Sequence, residues 1–262
     1  MVEISKMQAL GNRLILVDEY ASLVIPENAK SDFVRVVAKD NFDPDSVLFV
    51  SKLNGIMKMR IFDRDGTEET MCGNGIRCVA LYGMKRGYVT GKKFEINTLD
   101  GVKQITFKGD NLFEVNMGVS RSFKRVDKNL YFVFTGIPHL VEFVNSLEKI
   151  NAYKRCVALR YNRPICERLG YPDNMHVNMI EVLNPHKVKI KTYEACVERI
   201  TECCGTGATA TAYVVNRVNS CKFPIEVISL GGSLHFDLNG KNILMTGPAE
   251  YLTKEEFDYD CI

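Results

Sequence analysis

One short pattern occurs twice in this chain. Cys72-Gly73-Asn74-Gly75 opens an apolar-periodic run from Ile76 to Tyr88, and Cys204-Gly205-Thr206-Gly207 opens another from Ala208 to Val215. The two cysteines lie 132 residues apart (204 − 72) in a chain of 262. Ile76, Val79, Ala80 and Met84 recur at helical spacing, so Gly73 to Gly75 are expected to form the turn and the first exposed amides of a helix. The unpaired N–H groups and the positive dipole end there favour an anion: a carboxylate, a phosphate or the cysteine thiolate itself.

The surrounding elements repeat as well. Val2 to Met7 and Leu14 to Asp18 pattern as strands, Ser31 to Lys39 as a helix, and Ser46 to Leu53 and Met57 to Phe62 as a hairpin turned by Asn54-Gly55. Lys93 to Asn97, Lys103 to Phe107 and Leu112 to Met117 form a meander after the Cys72 helix. The order then restarts. Leu130 to Phe134 is a strand, Thr135 to His139 a tight turn leading into Leu140 to Ser146, and Ala152 to Leu169 a helix cut near Pro164. Met175 to Leu183 and Lys187 to Tyr193 form the second hairpin, and a loop from Glu194 to Cys203 leads to the Cys204 helix. Phe223 to Ser229, Ser233 to Leu238 and Ile243 to Thr246 close a second meander. Phe62 lies ten residues before its cysteine and Tyr193 eleven before its own. The chain is therefore read as an internal duplication of an α+β unit, with lobes 1–117 and 118–247 and a tail, 248–262, returning to the first lobe. If the lobes pack about a pseudo-two-fold axis, the two thiols face each other across the cleft.

Composition excludes several functions. A formal net charge of +2 with Lys and Arg dispersed argues against nucleic acid. There is no leader-like N-terminus and no apolar run of the ~18 residues that a span requires, so a soluble, unexported protein is expected, with no membrane partner. The nine cysteines are an odd number and show no metal-ligand spacing. Cys156, Cys166, Cys196, Cys221 and Cys261 read as ordinary thiols, and a reducing cytoplasm suits them all.

Two acid/base groups on opposite faces of one carbon are what inversion by proton abstraction requires. One thiolate removes an α-proton and the opposite thiol returns one to the other face. The amides of Gly73, Asn74, Gly205 and Thr206 are placed to hold a carboxylate while charge builds on the carbanion. A helix N-terminus also tunes a thiol toward the working pH.

Several motifs carry a family resemblance. Met7-x-x-Leu10-Gly11-Asn12, Asp65-Gly66-(x)5-Cys72-Gly73-Asn74-Gly75-x-Arg77-Cys78, Pro138-His139, Tyr193-Glu194, Cys204-Gly205-Thr206-Gly207 and Gly231-Gly232 resemble the diaminopimelate epimerase family. They come in its order over nearly the whole chain. Asn74 separates this branch from the related proline racemases, which carry His there. The resemblance implies two pseudo-symmetric lobes, each a curved, mostly antiparallel sheet around a central helix. It implies catalysis without pyridoxal phosphate, metal or other cofactor, with Cys72 and Cys204 as the two bases. It also places Asn12 near a small-molecule amino-acid substrate and Glu194 opposite the α-amino group, with His139 in a supporting role. A homodimer is admitted by the family, though no interface is legible in the residues.

The departures from the family pattern gather where it grips the far end of diaminopimelate. The Asn of its F-N-x-D-G is Asp63, the Asn of its N-P-H is Ile137, and the first Asn of its N-V-x-F is His176. The Arg of its Y-E-R-G is Ala195, followed by Cys196, and the Gln after the strand-opening Asp is Ser46. Without that Arg, and with a like charge at Asp63, a distal carboxylate is disfavoured. The expected substrate is an amino acid with a cationic or imidazole side chain: lysine, ornithine, arginine or histidine. The resemblance has precedent in histidine racemases of this fold. Arg199, in the loop after Ala195, is the alternative source of the missing guanidinium. With it, diaminopimelate epimerase of lysine and cell-wall synthesis stays open. A non-catalytic carboxylate-binding protein and a thiol-redox protein are the readings from other classes.

Overall fold

The computed structural model describes residues 1–195 and 197–259. It divides into two units, residues 1–115 with the segment from 247 onward, and residues 116–246. The sequence reading sets its boundaries after Met117 and Gly247. Cys196, Cys261 and the last residues of the 248–262 tail lie outside the described residues.

The first unit opens with a hairpin of β1 (Val2–Ala9) and β2 (Asn12–Asp18). Leu10 and Gly11 turn it with φ of 53° and 80°, the mirror-image turn that matches strand twist. Helix α1 (Lys30–Val37) then carries the chain to β3 (Ser46–Leu53), which runs parallel to β2. Leu14 to Val17 and Val47 to Val50 are all buried, as strands covered on both faces must be. Strand β4 (Ile56–Asp63) returns through Asn54-Gly55, whose φ values of 51° and 82° again need a residue tolerant of the left-handed region. A two-residue β5 (Glu68–Glu69) leads to α2 (Gly73–Lys85). Then come β6 (Lys93–Thr98), parallel to β4, and the meander strands β7 (Gly101–Gly109) and β8 (Leu112–Gly118). On the free side of β1 lies a strand from the far end of the chain, Glu250–Phe257, antiparallel with Val2 opposite Phe257.

The second unit repeats this plan pair by pair. Strands β9 (Arg121–Asp127) and β10 (Leu130–Phe134) pair antiparallel, then β10 pairs with β11 (Pro138–Phe143). Helices α3 (Ala152–Arg160) and α4 (Arg163–Leu169) cross to β12 (His176–Asn184), parallel to β11. Strand β13 (Lys187–Glu194) returns antiparallel and meets the short β14 (Arg199–Thr201). Helix α5 (Gly205–Arg217) follows, then β15 (Ile225–Ser229), parallel to β13, β16 (Gly232–Asn239) and β17 (Asn242–Pro248). In this correspondence β9 occupies beside β10 the place that the C-terminal strand occupies beside β1.

Each cysteine helix is thirteen residues long and sits deep in its own unit. Gly73 through Gly83 are all buried in α2, as are Gly205 through Ala212 in α5. A helix apolar on every side is one that its sheet surrounds rather than merely covers. Thr209 is accommodated there by a bond within the helix, its Oγ1 donating to Gly205 O at 2.8 Å.

The cut expected near Pro164 is present: α3 ends at Arg160, Asn162 caps α4 by accepting the Ile165 amide at 3.2 Å, and Pro164 lies in the first turn of that second helix. Three local expectations change. Pro138 and His139 are the first residues of β11, not part of the turn. The 194–203 loop contains β14. Gly73, Asn74 and Gly75 are the first residues of α2 and are buried, not an exposed turn. No helix among the described residues is long and apolar enough to cross a membrane.

Candidate active site

In the first unit Cys72 is the N-cap of α2, with extended backbone at φ −134° and ψ 117°. Its Sγ accepts the Gly75 amide hydrogen at 3.2 Å. A Cβ on Gly75 would stand 2.9 Å from Leu48 Cδ2 and 3.3 Å from Cys72 Cβ, so glycine lets the first helical turn settle against β3 and the sulfur. Beneath this turn Arg77 is fully buried. Its guanidinium donates to Gly73 O at 2.9 Å, to Asn74 Oδ1 at 2.8 Å and to Pro248 O at 3.0 Å. The planar donor fork thereby fixes the Asn74 side chain and ties the turn to the C-terminal segment. Burial pushes the thiol of the neighbouring Cys78 up to about 12.

Asn12 and Asp63 lie at neighbouring strand ends, joined through Asp45 and Ser46. Asn12 Nδ2 donates to Asp45 Oδ2 at 3.4 Å, and Ser46 Oγ, directly across the β3–β4 pair, donates to Asp63 Oδ1 at 3.1 Å. The other amide atom, Asn12 Oδ1, is buried without a hydrogen-bond partner. Such an acceptor is costly to leave unmet, which suits a ligand N–H at this point.

In the second unit Cys204 is the N-cap of α5, with nearly the same backbone, φ −117° and ψ 110°. Gly205 and Thr206 are its first helical residues and both are buried. Thr206 Oγ1 lies 3.4 Å from Cys204 Sγ, and Thr135 Oγ1 donates to Thr206 O at 3.0 Å. Burial, followed by the Glu194 carboxylate, raises the Cys204 thiol well above the free value; Thr206 and the Gly207 amide oppose them. Glu194 in turn accepts a hydrogen bond from Thr201 Oγ1. Cys204 therefore rests as a thiol.

His139 and His176 sit opposite each other on parallel β11 and β12, with ring centroids 5.2 Å apart. Both are buried, and each has one ring nitrogen without a hydrogen-bond partner, His139 Nε2 and His176 Nδ1. Burial lowers His139 well below the ordinary histidine value. It brings His176 to about 4, with Arg160 acting in the same direction and Glu198 against it. Two neutral imidazoles result.

Sequence reasoning missed the groups around His176. Arg160, buried at the end of α3, donates to the carbonyls of Pro172 and Asp173 and reaches Glu198 Oε1 at 3.4 Å. Glu198 Oε2 accepts from Tyr193 OH at 2.7 Å and Tyr161 OH at 3.0 Å. Their only signal was a lone Arg in a helix and a Glu in a loop. Ala195 is buried, and Arg199 stands directly across the β13–β14 pair from Glu194, on the same face of the sheet. Among the described residues no group of three or more His, Cys, Asp or Glu is arranged to hold a metal.

Two helix N-termini, each carrying an N-cap cysteine and a glycine pressed against its sulfur, make a repeated thiol-and-anion arrangement. Comparison with known proteins gives the family of the chain. The diaminopimelate epimerase family model matches residues 4–122 and 131–252. The chain belongs to the diaminopimelate epimerase family. A diaminopimelate epimerase of Methanocella arvoryzae is 31% identical over 99% of this chain and 98% of its own length. One from Methanothrix thermoacetophila is 34% identical over 95% and 93%. Among solved structures, a predicted epimerase of Pseudomonas aeruginosa aligns with a TM-score of 0.73 at 14% identity, covering 99% of this chain and 100% of the other. A hydroxyproline epimerase of Agrobacterium vitis, solved with bound trans-4-hydroxy-L-proline, aligns at 0.69 and 13%, covering 97% and 91%. Family membership makes the chain an isomerase of the epimerase and racemase class, and the likeness in fold extends over both units.

Proposed function

We propose that this isomerase inverts an amino-acid α-carbon with two cysteines and no pyridoxal phosphate, Cys72 serving one face and Cys204 the other. The observation that carries the reading is the repeated N-cap geometry: two cysteines at equivalent points of two buried helices, with matching backbone angles. Cys204, held protonated by burial and by Glu194, delivers a proton in the direction in which Cys72 removes one. In the reverse direction the Glu194 carboxylate accepts the Cys204 proton, and the thiolate so formed removes the α-proton. The first-turn amides of Gly73, Asn74, Gly205 and Thr206 receive the substrate carboxylate, where negative charge grows as the α-proton leaves. Asn12 Oδ1 offers an acceptor to the α-ammonium or a distal N–H.

The far side chain is read as cationic or imidazole. Ala195 stands in place of a guanidinium, and Asp63, braced by Ser46, presents a carboxylate that attracts a cation and repels an anion. His176, neutral, can accept a hydrogen bond from an ammonium. The second reading is diaminopimelate itself. It is favoured by Arg199, which shares a face with Glu194, by Arg160 beside His176, and by the names of the curated relatives.

The test is α-hydrogen exchange in D₂O, followed by NMR without added cofactor, on diaminopimelate stereoisomers and on L- and D-lysine, ornithine, arginine and histidine. Exchange of a basic amino acid but not of diaminopimelate is expected, and is lost in Cys72→Ser and Cys204→Ser. Exchange of diaminopimelate alone selects the second reading, and exchange of nothing overturns both.

A further inference from the structure

Asn178 lies on β12 with no exposure to solvent. Its Nδ2 donates to Leu140 O at 2.9 Å and faces His139 Nδ1 at 3.1 Å, and its Oδ1 accepts from Thr192 Oγ1 at 2.9 Å. A backbone carbonyl can only accept, so the amide nitrogen must be the atom turned toward Leu140. His139 Nδ1 therefore receives an N–H and cannot carry a proton of its own. The ring proton sits on Nε2, a buried donor without a hydrogen-bond partner. The same carboxamide also abuts the Cys204 turn. A Cβ on Gly207 would lie 2.4 Å from Asn178 Oδ1, 3.2 Å from Thr192 Oγ1 and 3.3 Å from Cys204 Sγ. One side chain thus touches the back of the imidazole and the first turn of α5.

We propose that Asn178 is a positioning residue of the reaction: it locks His139 as a neutral donor through Nε2 and seats the α5 turn beside it. A substrate carboxylate oxygen is then met by the Nε2–H as well as by the α5 amides. This role rests on the racemase reading of the site. A neutral tautomer fixed from behind is the usual way a protein dictates which imidazole nitrogen does the work. The titratable groups around the ring are His176 on the adjacent strand, with Arg160 and Glu198 beyond it, and Cys204 and Glu194 on the far side of Asn178. None of them touches Nδ1 in place of the amide.

The tautomer is read without substrate, by ¹⁵N NMR of histidine-labelled protein. The four histidines give few signals, and His139→Gln assigns one of them. The wild-type ring is expected to hold its proton on Nε2 and to stay neutral from pH 8 to pH 5. In Asn178→Asp the carboxylate draws the proton to Nδ1, Nε2 becomes an acceptor, and kcat for α-hydrogen exchange falls about a hundredfold at neutral pH. That rate recovers as the pH is lowered and the ring takes a second proton, restoring the Nε2 donor, a recovery that loss of packing would not produce. Asn178→Ala is expected to lose kcat without recovering it at low pH. A wild-type ring protonated on Nδ1, or one that titrates between pH 5 and 8, would overturn the proposal. So would a flipped tautomer in Asn178→Asp with exchange unchanged. A wild type with the expected tautomer but no exchange of any amino acid would overturn the function and this role together, and leave the hydrogen-bond assignment standing.

Discussion

The Glu194 carboxylate faces the Cys204 thiol and, second only to burial, holds its proton on. A carboxylate beside a thiol is the opposite of the cationic setting that makes a cysteine spontaneously reactive. It suits a group that must first give a proton away. Neutralising it should release the thiol. In Glu194→Gln the Cys204 pKa falls, and each unit of lowering raises the thiolate fraction about tenfold while the pKa stays above the working pH. Iodoacetamide labelling at pH 8, read peptide by peptide by mass spectrometry, should be faster at Cys204 in the variant than in the wild type. Equal or slower labelling would show that burial alone sets this thiol.

The neutral histidines should leave a mark on acid stability. His176 is lowered to about 4 from an ordinary 6.5, and His139 is lowered too. The unfolded chain therefore binds protons below pH 6.5 that the folded chain refuses. Stability is complete above that pH and declines toward pH 4. For His176 alone the difference is about 3 kcal/mol at the bottom of the window. Urea unfolding at intervals from pH 7 to pH 4 should show this slope, and His176→Gln should flatten part of it. The carboxylates with lowered values, Glu27, Asp40 and Glu226, add a slope of the same sign near the acid end of the window, where the unfolded chain begins to protonate them, so the difference between wild type and His176→Gln is what isolates the ring. A variant with the wild-type slope would mean that the ring is not held neutral.

Two glycines on the cysteine helices separate hard contacts from soft ones. A Cβ on Gly207 meets Asn178 Oδ1 at 2.4 Å, an oxygen fixed by its bond from Thr192. A Cβ on Gly83 meets the end of Met57 at 2.7 Å, a flexible thioether that can turn aside. Gly207→Ala should cost about 1–3 kcal/mol through overpacking and lose α-hydrogen exchange with it. Gly83→Ala should come close to neutral, because roughly 1 kcal/mol of helix propensity offsets the shift of the methionine. Thermal unfolding of both variants with exchange assays decides the matter, and equal losses would contradict the distinction.

How much of this was legible in the residues depended on whether the signal was local. The Asn54-Gly55 hairpin, the two cysteine helices and the strand-by-strand repeat announce themselves within a few residues, because turn chemistry and periodicity act at short range. Strand β9, Arg-Ser-Phe-Lys-Arg-Val-Asp, and the C-terminal strand, Glu-Tyr-Leu-Thr-Lys-Glu-Glu-Phe, do not. They are largely exposed and carry no clean alternation, and they are strands because β10 and β1 offer them an edge. The site divides the same way. Cys72, Cys204 and the glycines after them are marked by their motif. Arg160, Asn178 and Glu198 matter mostly through partners up to 39 residues away in the chain, and no pattern along the chain records that.

The far end of the substrate gives the sharpest contrast between the two substrate readings. If Asp63 and Ala195 select against a distal carboxylate, restoring the family residues should reverse the preference. Asp63→Asn removes the like charge, and Ala195→Arg supplies a guanidinium. A charge-assisted bond of about 1.5–3 kcal/mol corresponds to roughly a ten- to hundredfold change in the exchange rate of diaminopimelate relative to lysine. The double variant should show that change if Ala195, buried as it is, can be replaced without loss of fold, which far-ultraviolet circular dichroism checks. Arg199→Ala supplies a control that needs no new side chain to fit. On the favoured reading it leaves lysine exchange close to wild type, since a cationic side chain gains nothing from a second cation. If Arg199 instead stands in for the family guanidinium, the wild type exchanges diaminopimelate and Arg199→Ala abolishes that exchange. The two readings thus give opposite results in a variant that only shortens a half-buried side chain.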